Sequence, residues 1–455
     1  MKRVLETDWI ASNPVFYNQV TGWVSHNIND VIDFANFEFH PEGLRNYLEF
    51  GYSVFGQTPV RDVRFLPACA RINAADNGQM KIESLDDPVK DWAGRNSHED
   101  DVLDELCRTI REWEKDTKGE LVVPLSGGYD SRLLVEMVHD RSRVRAFTYG
   151  LSCNQGESFE VVRAKKVAEI LGIQWKQIKL GNYHNYIGDW DCLYGISTHS
   201  HGMYQMEFFD KIRTGGLTGR PMLSGLFGDI WAGNTTYQKL SGPKDLVKIG
   251  NTHGMSADPA CAFVRSDSRL KEEFWEEHGR DLQEGFYQTL WLIRLKIILI
   301  SYLLRVSEYF GFKPWSPFLS PSVALGMLTL PQERRKNRLW QREYFESRHI
   351  NVEQMGLTES RSNTLNRQAM RQSPLPPLDE GLLSQVIKPA YIAWINKEIA
   401  CRRYPHYLMV RLLDVARTSR LLRRLGFSRT GMEAYFAYLT IKPIELLLRK
   451  RDAAQ

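Results

Sequence analysis

Cysteine is scarce in this 455-residue sequence, and its six cysteines are widely scattered. They lack the paired spacing of metal-binding cysteines, and no secretory signal precedes them. The longest apolar stretch, 290–304, is interrupted by Arg294 and Lys296, which favours a buried helix over a membrane span. No low-complexity tract is long enough to indicate disorder. These absences predict a globular, cytoplasmic protein with reduced thiols.

A strong excess of one charge is also missing, since the formal net charge is only +4. The basic residues are concentrated at the end: residues 401–455 hold 12 Lys or Arg against 4 Asp or Glu. This asymmetry argues against nucleic acid as a partner and for a basic C-terminal appendage. Leucines and aromatic residues alternate with its arginines, which leaves two interpretations: a helical cap on the protein, or an amphipathic helix in peripheral contact with a membrane.

The length predicts two or three domains. In residues 1–95, short apolar runs separated by Asn, Gly, Pro and Asp predict a small β-rich domain. Residues 96–372 form a second domain, entered through a helix for which Ser97 is the expected N-cap. The proline-rich stretch 373–378 is the expected linker to a helical, basic region, 373–455.

Strand and helix patterns alternate in the second domain. Strands are predicted over 121–125, 144–149 and 174–180, with helices over 131–139 and 158–171. Short joints between them predict an α/β fold with a doubly wound parallel sheet, whose ligand lies at the carboxyl ends of the strands.

The first of these strand ends carries the sequence Ser-Gly-Gly-Tyr-Asp-Ser, residues 126–131. A strand that runs into Ser-Gly-Gly and then a helix directs backbone N–H groups and a helix N-terminus at one point, which creates an anion site. Gly127 and Gly128 allow close approach, Ser126 and Ser131 add hydroxyl donors, and Asp130 offers the hard oxygen that Mg²⁺ prefers. The motif therefore predicts a site for the phosphates of ATP with Mg²⁺.

This loop resembles the SGGxDS loop of the N-type ATP pyrophosphatases, and within them the asparagine synthetase and β-lactam synthetase family. The resemblance extends to residues 147–150, 156–160, 168–172, 223–229 and 316–319. It implies an adenine nucleotide alpha hydrolase-like fold, and an adenosine site framed by the backbones of Leu125, Tyr149, Ser224 and Gly225. It also implies that Asp130 and Asp229 are the catalytic carboxylates that bind Mg²⁺, from two separate loops.

The chain departs from this family at three places. Leu226 stands where the family has a Glu or Tyr associated with proton handling, so another base or an already neutral nucleophile is required. The family's pyrophosphate-binding Lys has no clear counterpart, and the candidates are Arg334, Arg335, Lys336, Arg338, Arg361 and Arg367. Position 2 is Lys2 rather than the Cys of glutamine-hydrolysing members, which implies that residues 14–74 belong to a truncated, non-catalytic glutaminase-like domain.

The resemblance implies a ligase that adenylates a substrate carboxylate with release of pyrophosphate, and then transfers the acyl group to nitrogen. Free ammonia, a partner glutaminase or a substrate amine supplies that nitrogen. Two substrate hypotheses stay open: amidation of a sugar acid in surface-polysaccharide synthesis, and intramolecular cyclisation of the β-lactam or lasso-peptide type. A third hypothesis is a non-catalytic nucleotide-binding pseudoenzyme. The sequence leaves the oligomeric state open.

His199 and His201 are a further candidate pair, because a two-residue spacing in a strand puts both side chains on one face. Two histidines without a third ligand are weak support for zinc, so polar lining of a site, or core packing, is the preferred interpretation.

Overall fold

The computed structural model describes residues 3–75, 78–152, 154–250, 254–264, 267–400 and 430–455. Eleven strands occur within these ranges. They are β1 (Arg3–Glu6), β2 (Phe16–Asn18), β3 (Val24–Ser25), β4 (Val63–Phe65), β5 (Ala70–Ala74), β6 (Met80–Ser84), β7 (Leu121–Pro124), β8 (Val144–Thr148), β9 (Gln174–Gln177), β10 (Pro221–Leu223) and β11 (Lys313–Trp315).

Eighteen α-helices accompany them in the described ranges. They are α1 (Pro41–Phe50), α2 (Glu99–Asp116), α3 (Tyr129–Met137), α4 (Phe159–Leu171), α5 (Ile187–Tyr194), α6 (Met203–Ile212), α7 (Gly228–Ala232), α8 (Leu246–Gly250), α9 (Arg269–His278), α10 (Gly285–Ile300), α11 (Tyr302–Tyr309), α12 (Pro321–Leu328), α13 (Gln332–Arg335), α14 (Leu339–Ser347), α15 (Leu365–Gln372), α16 (Glu380–Leu383), α17 (Pro389–Ala400) and α18 (Thr430–Ala454).

The centre of the molecule is a five-stranded parallel sheet in the order β11-β10-β7-β8-β9. The first of these strands in chain order, β7, is a buried Leu-Val-Val run, which is typical of a parallel strand covered on both faces. From β7 the chain winds through β8 and β9 to one side and then returns to β10 on the other. This reversal lies between β7 and β10, so a ligand crevice is expected at their carboxyl ends. The predicted doubly wound α/β sheet is confirmed.

The N-terminal region is β-rich, as predicted, with two three-stranded antiparallel sheets of order β1-β5-β6 and β3-β2-β4. It also contains α1, which the sequence analysis did not predict. The helix begins with Pro41 at its first turn and ends at Gly51, whose φ of 83° is the left-handed conformation that glycine adopts at low cost. The apolar run 31–34 lies in a turn after a short 3₁₀-helix rather than in a strand.

Helix α18 is buried against both other regions. The Tyr47 hydroxyl in α1 donates to the Thr440 carbonyl (2.9 Å), and Lys450 pairs with Asp191 of α5 (2.6 Å). The proline-rich stretch packs on the same helix, because the Tyr438 hydroxyl donates to the Pro376 carbonyl (2.8 Å). These contacts favour the cap interpretation for α18. The arginine-rich residues 401–429 lie outside the described residues.

Two local predictions are wrong. Helix α2 begins after His98, which makes no side-chain cap, while the Ser97 hydroxyl lies 2.8 Å from that of Thr329. The apolar stretch 290–304 is divided between α10 and α11 rather than forming one helix. Within the described residues, no helix combines the length and apolar character that a membrane crossing requires.

Candidate active site

The loop between β7 and α3 is folded by its own serines. The Ser126 amide donates to the Ser131 hydroxyl (3.2 Å), and the Gly128 amide donates to the Ser126 hydroxyl (3.3 Å). Helix α3 starts directly after Gly128 and has no side-chain cap. Its first-turn N–H groups are therefore available to a ligand, and the positive end of the helix dipole favours an anion there.

Gly127 is required where the loop contacts α4. Its φ is 70°, and a Cβ at this position would lie 2.7 Å from the Cβ of Arg163 and 2.9 Å from the Ala164 nitrogen. Both the conformation and the contact exclude a side chain. Gly128 is different, because a Cβ there would meet only the Ser126 hydroxyl, at 3.2 Å.

Asp130 lies in the first turn of α3 and Asp229 in the first turn of α7, and the charge of Asp229 acts on Asp130. A Cβ on Gly228 would lie 2.9 Å from the Asp130 carboxyl carbon, so the two segments are in contact. Each carboxylate accepts a hydrogen bond from one neutral amide: Gln341 donates to Asp130 (3.2 Å), and Asn234 donates to Asp229 (3.1 Å). These amides orient the carboxylates without neutralising them, which leaves oxygen lone pairs free for a hard cation.

Asp130 has a strongly perturbed pKa. Burial and the nearby charge of Asp229 raise the pKa of Asp130 from 3.8 to about 7, and they outweigh Arg338 and Gln341, which act to lower it. Two carboxylates held this close repel each other unless a cation lies between them. The residues present thus fit a Mg²⁺ ion, with Asp130 and Asp229 as its protein ligands.

The structure places the candidate pyrophosphate-binding cations in different surroundings. Arg338 is nearest to the loop: its guanidinium lies 4.0 Å from the Asp130 carboxylate and 4.7 Å from the centre of the Tyr129 ring. Asn337 and Arg338 are two consecutive left-handed residues, with φ of 54° and 53°. Such a conformation costs free energy and is held by its surroundings. Arg334 instead bridges Glu99 and Glu343, and Arg361 pairs with Glu359.

A buried ion-pair cluster supports the loop from behind. Arg132, which is fully buried, donates to the Gly127 carbonyl (2.8 Å) and forms a two-bond pair with Glu353. Arg163 also contacts Glu353 (3.1 Å) and pairs with Glu359. Burial acts to raise the pKa of Glu353, but Arg132 outweighs it and holds that pKa below its ordinary value. The cluster therefore fixes the loop by charge-assisted bonds.

A cavity of about 260 Å³ opens beside the loop at the carboxyl ends of β7, β8 and β10. Seven of the predicted site residues line it: Leu125, Ser126, Asp130, Ser131, Tyr149, Ser224 and Gly225. Apolar side chains of Phe147, Phe208 and Leu226 form its walls. A small, largely apolar cavity joined to a phosphate loop is suited to a nucleoside. Gly127 and Gly128 lie beside it in the loop.

Leu226 contributes no titratable group, and its amide donates to the Ser224 hydroxyl (3.3 Å). Glu160 of α4 lines the same cavity, and burial raises its pKa. Glu160 belongs to the 156–160 segment of the family resemblance, from which no role was predicted for it. Gln205 of α6, which donates to the Tyr149 hydroxyl (3.1 Å), was not predicted either. The apolar pattern of α6 gave no indication that it borders this cavity.

His199 and His201 do not lie in a strand, so that expectation is wrong. His199 caps a 3₁₀ turn by accepting from the His201 amide (3.1 Å), and burial lowers its pKa to about 3. The two rings lie 6.0 Å apart at a near-perpendicular angle. His199 is buried, which agrees with the packing interpretation, whereas His201 is half-buried.

No protein-family model and no curated protein matches this sequence. Among solved structures, an NH₃-dependent NAD synthetase from Campylobacter jejuni is similar at 13% identity and a TM-score of 0.25, over 47% of this chain and 96% of that one. A glutamine-dependent NAD⁺ synthetase from Acinetobacter baumannii, in complex with ADP, is similar at 13% identity and a TM-score of 0.23, over 73% of this chain and 64% of that one.

Proposed function

We propose that this protein is an ATP-dependent, AMP-forming carbon–nitrogen ligase of the asparagine synthetase type. The observation that carries the proposal is the convergence of Asp130 and Asp229 beside the uncapped N-terminus of α3. Amide donors orient both carboxylates, and a nucleoside-sized cavity adjoins them. This combination suits Mg²⁺-bound ATP with its adenosine in the cavity and its phosphates on the loop.

In the proposed reaction, a carboxylate oxygen of the substrate attacks the α-phosphorus of ATP. The bond to the bridging oxygen breaks, pyrophosphate leaves, and an acyl-adenylate forms. A nitrogen nucleophile then attacks the acyl carbon and displaces AMP, which gives an amide. Adenylation is needed because a carboxylate repels nucleophiles and its oxygen is a poor leaving group.

The protein groups would act mainly by orientation and charge. The loop amides would hold the phosphates, and Arg338 would neutralise the departing pyrophosphate in place of the family's Lys. Mg²⁺ bound by Asp130 and Asp229 would supply further charge neutralisation. Because Leu226 cannot accept a proton, the nucleophile would have to be neutral on arrival or be deprotonated elsewhere.

The nitrogen source would lie outside the N-terminal region. Its first described cysteine, Cys69, is buried, and burial chiefly raises its pKa to about 11, so the reactive thiolate is disfavoured. Free ammonia, a partner glutaminase or a substrate amine therefore supplies nitrogen in this proposal.

The test is product analysis with the full-length protein, ATP, Mg²⁺, ammonium and a panel of acids. We expect pyrophosphate and AMP in equal amounts. ADP with inorganic phosphate would exclude adenylation. Nucleotide binding without any turnover across the panel and the nitrogen sources would favour a non-catalytic binding protein instead.

A further inference from the structure

A second cavity, larger than the nucleoside cavity, lies beside the loop that follows Asp229. It encloses about 660 Å³, which is within the range of about 300–1,000 Å³ that is usual for small-molecule sites. Two of its lining residues connect it to the proposed site: Asn234 holds the Asp229 carboxylate, and Asn337 precedes Arg338. A substrate in this cavity therefore borders the metal carboxylates.

The lining mixes polar and apolar surface and has no acidic side chain among the described residues. Hydroxyl groups come from Thr235 and Tyr237, on the loop after α7, and from Thr289 of α10, whereas the Gln288 amide is already satisfied by hydrogen bonds within the protein. Phe286 and Leu292 add apolar surface. This mixture suits a ligand with several hydroxyl groups and a compact carbon frame, rather than an apolar side chain.

Two cations complete the lining, Arg335 and Lys336. Among the described residues, the Arg335 guanidinium makes one hydrogen bond, from its Nε to the Trp231 carbonyl (3.3 Å), and no ion pair. Burial lowers its pKa to about 10, so it stays protonated at neutral pH. Its backbone is fixed by Gly233, where a Cβ would lie 2.2 Å from the Arg335 carbonyl oxygen.

An unpaired, partly buried guanidinium in a cavity without carboxylates is available to pair with an anion from outside the chain. Its neighbours do not share this property, because Arg334 is paired with Glu99 and Glu343. Arg338 lies beside Asp130. Arg335 is thus specifically directed to the larger cavity, and its planar fork matches a phosphate or a carboxylate.

We propose that this cavity, lined by Arg335, Lys336, Thr235, Tyr237, Gln288 and Thr289, binds an acid substrate that has several hydroxyl groups and a second anionic group, which pairs with Arg335. The inference rests on the proposed ligase function, because that function requires a first carboxylate on the substrate. That carboxylate is directed to Asp229 and the phosphate loop. A phosphate and a second carboxylate satisfy the same geometry.

The experiment is calorimetric titration of the nucleotide-free, full-length protein with four probes. Glucuronic acid 1-phosphate and glucaric acid carry two anionic groups, glucuronic acid carries one, and glucose carries none. We expect at least one dianionic probe to bind at least ten-fold more tightly than glucuronic acid, with glucose weakest. Preference for the phosphate probe or for glucaric acid identifies the second anionic group.

Matched variants assign the binding to Arg335. Arg335→Met should weaken the dianionic probe at least ten-fold, Arg335→Lys should recover part of the loss, and Arg334→Met should leave binding unchanged. Affinity for Mg²⁺ with α,β-methylene-ATP, measured separately, should be the same in all four proteins, which also shows that they are folded.

Failure of both dianionic probes to bind at millimolar concentration would overturn the inference, as would equal binding by Arg335→Met. A loss of nucleotide affinity in Arg335→Met would assign this residue to the phosphates and overturn the inference, while the ligase proposal stands. Conversely, wild-type protein that binds a dianionic probe but no nucleotide would remove the ligase proposal and leave the cavity assignment intact.

Discussion

The phosphate end and the nucleoside end of the proposed ATP site are built in different ways. At the phosphate end, charged or amide side chains from several separate segments converge, including Asp130, Asp229, Arg338 and Gln341. The nucleoside end consists of strand backbones and apolar walls such as Phe147 and Phe208. Charged groups must be placed accurately to stabilise the charge that develops around phosphorus, whereas a purine ring requires mainly an apolar cavity of the right shape. Substitutions at the two ends should therefore differ in size and in kind.

The largest effect is expected from the metal carboxylates. Asp130→Asn or Asp229→Asn should lower pyrophosphate release by about 10³-fold, because each removes a hard, charged oxygen from the cation. Pyrophosphate release at saturating ATP is the measurement. Tyr149→Phe is the matched change at the nucleoside end. It should lower pyrophosphate release by less than about three-fold, since it removes only a hydroxyl that accepts one neutral hydrogen bond. Comparable losses of pyrophosphate release in the carboxylate variants and in Tyr149→Phe would contradict this difference between the two ends of the site.

A second large effect should appear in stability. Glu353→Gln leaves the buried guanidinium of Arg132 without its charge partner, and breaking such a pair typically costs about 3–5 kcal/mol. Urea denaturation measures this free energy of unfolding. The control is Glu105→Gln, whose partner Arg108 is solvent-exposed, and it should cost less than about 1 kcal/mol. Equal costs would show that the cluster behind the loop is not a structural clamp.

Arg338→Met should have an intermediate effect on activity. Loss of the cation beside the phosphate loop should weaken pyrophosphate inhibition by about ten-fold, because one charge-assisted contact to the leaving group is removed. Product inhibition kinetics provide the measurement. Arg334→Met, which removes an arginine paired on the surface, is the control. A larger effect of Arg334→Met than of Arg338→Met would reverse the assignment.

A further effect concerns the pH dependence of stability. The pKa of Asp130 is raised to about 7 from an unfolded value of 3.8, so the folded state binds this proton more tightly than the unfolded state does. Stability without a cation should therefore fall as pH rises from about 4 to about 7. Asp130→Asn should remove this component, and Mg²⁺ with nucleotide should offset it. Thermal midpoints across this range test the prediction, and a curve identical in wild type and variant would refute it.

Local patterns predicted three of the five strands of the central sheet, β7, β8 and β9, but not β10 and β11. The apolar run of β7 and the alternation with α3 and α4 follow from short-range periodicity, and the boundaries differ from the predictions by only a few residues. Four residues that line the nucleoside cavity, Leu125, Tyr149, Ser224 and Gly225, were named from the resemblance to the asparagine synthetase family and not from local pattern. Their proposed roles in binding ATP stay predictions.

Long-range contacts were not predictable in the same way. Six cations were candidates for the phosphates, and only the folded chain distinguishes Arg338 beside Asp130 from Arg335 in the second cavity. Gln341 contacts Asp130 across 211 positions of sequence, and no periodicity marks such a contact. The Arg132–Glu353 pair is separated by 221 positions. These features depend on how helices pack after β11, which local propensity does not determine.

The central claim is tested most directly by a crystal structure of the protein with Mg²⁺ and α,β-methylene-ATP. The account predicts an ion about 2.0–2.1 Å from oxygens of both Asp130 and Asp229, with the phosphates on the amides of the 126–131 loop and the adenosine between β8 and β10. Phosphates bound away from this loop, or an ion that contacts neither carboxylate, would contradict it.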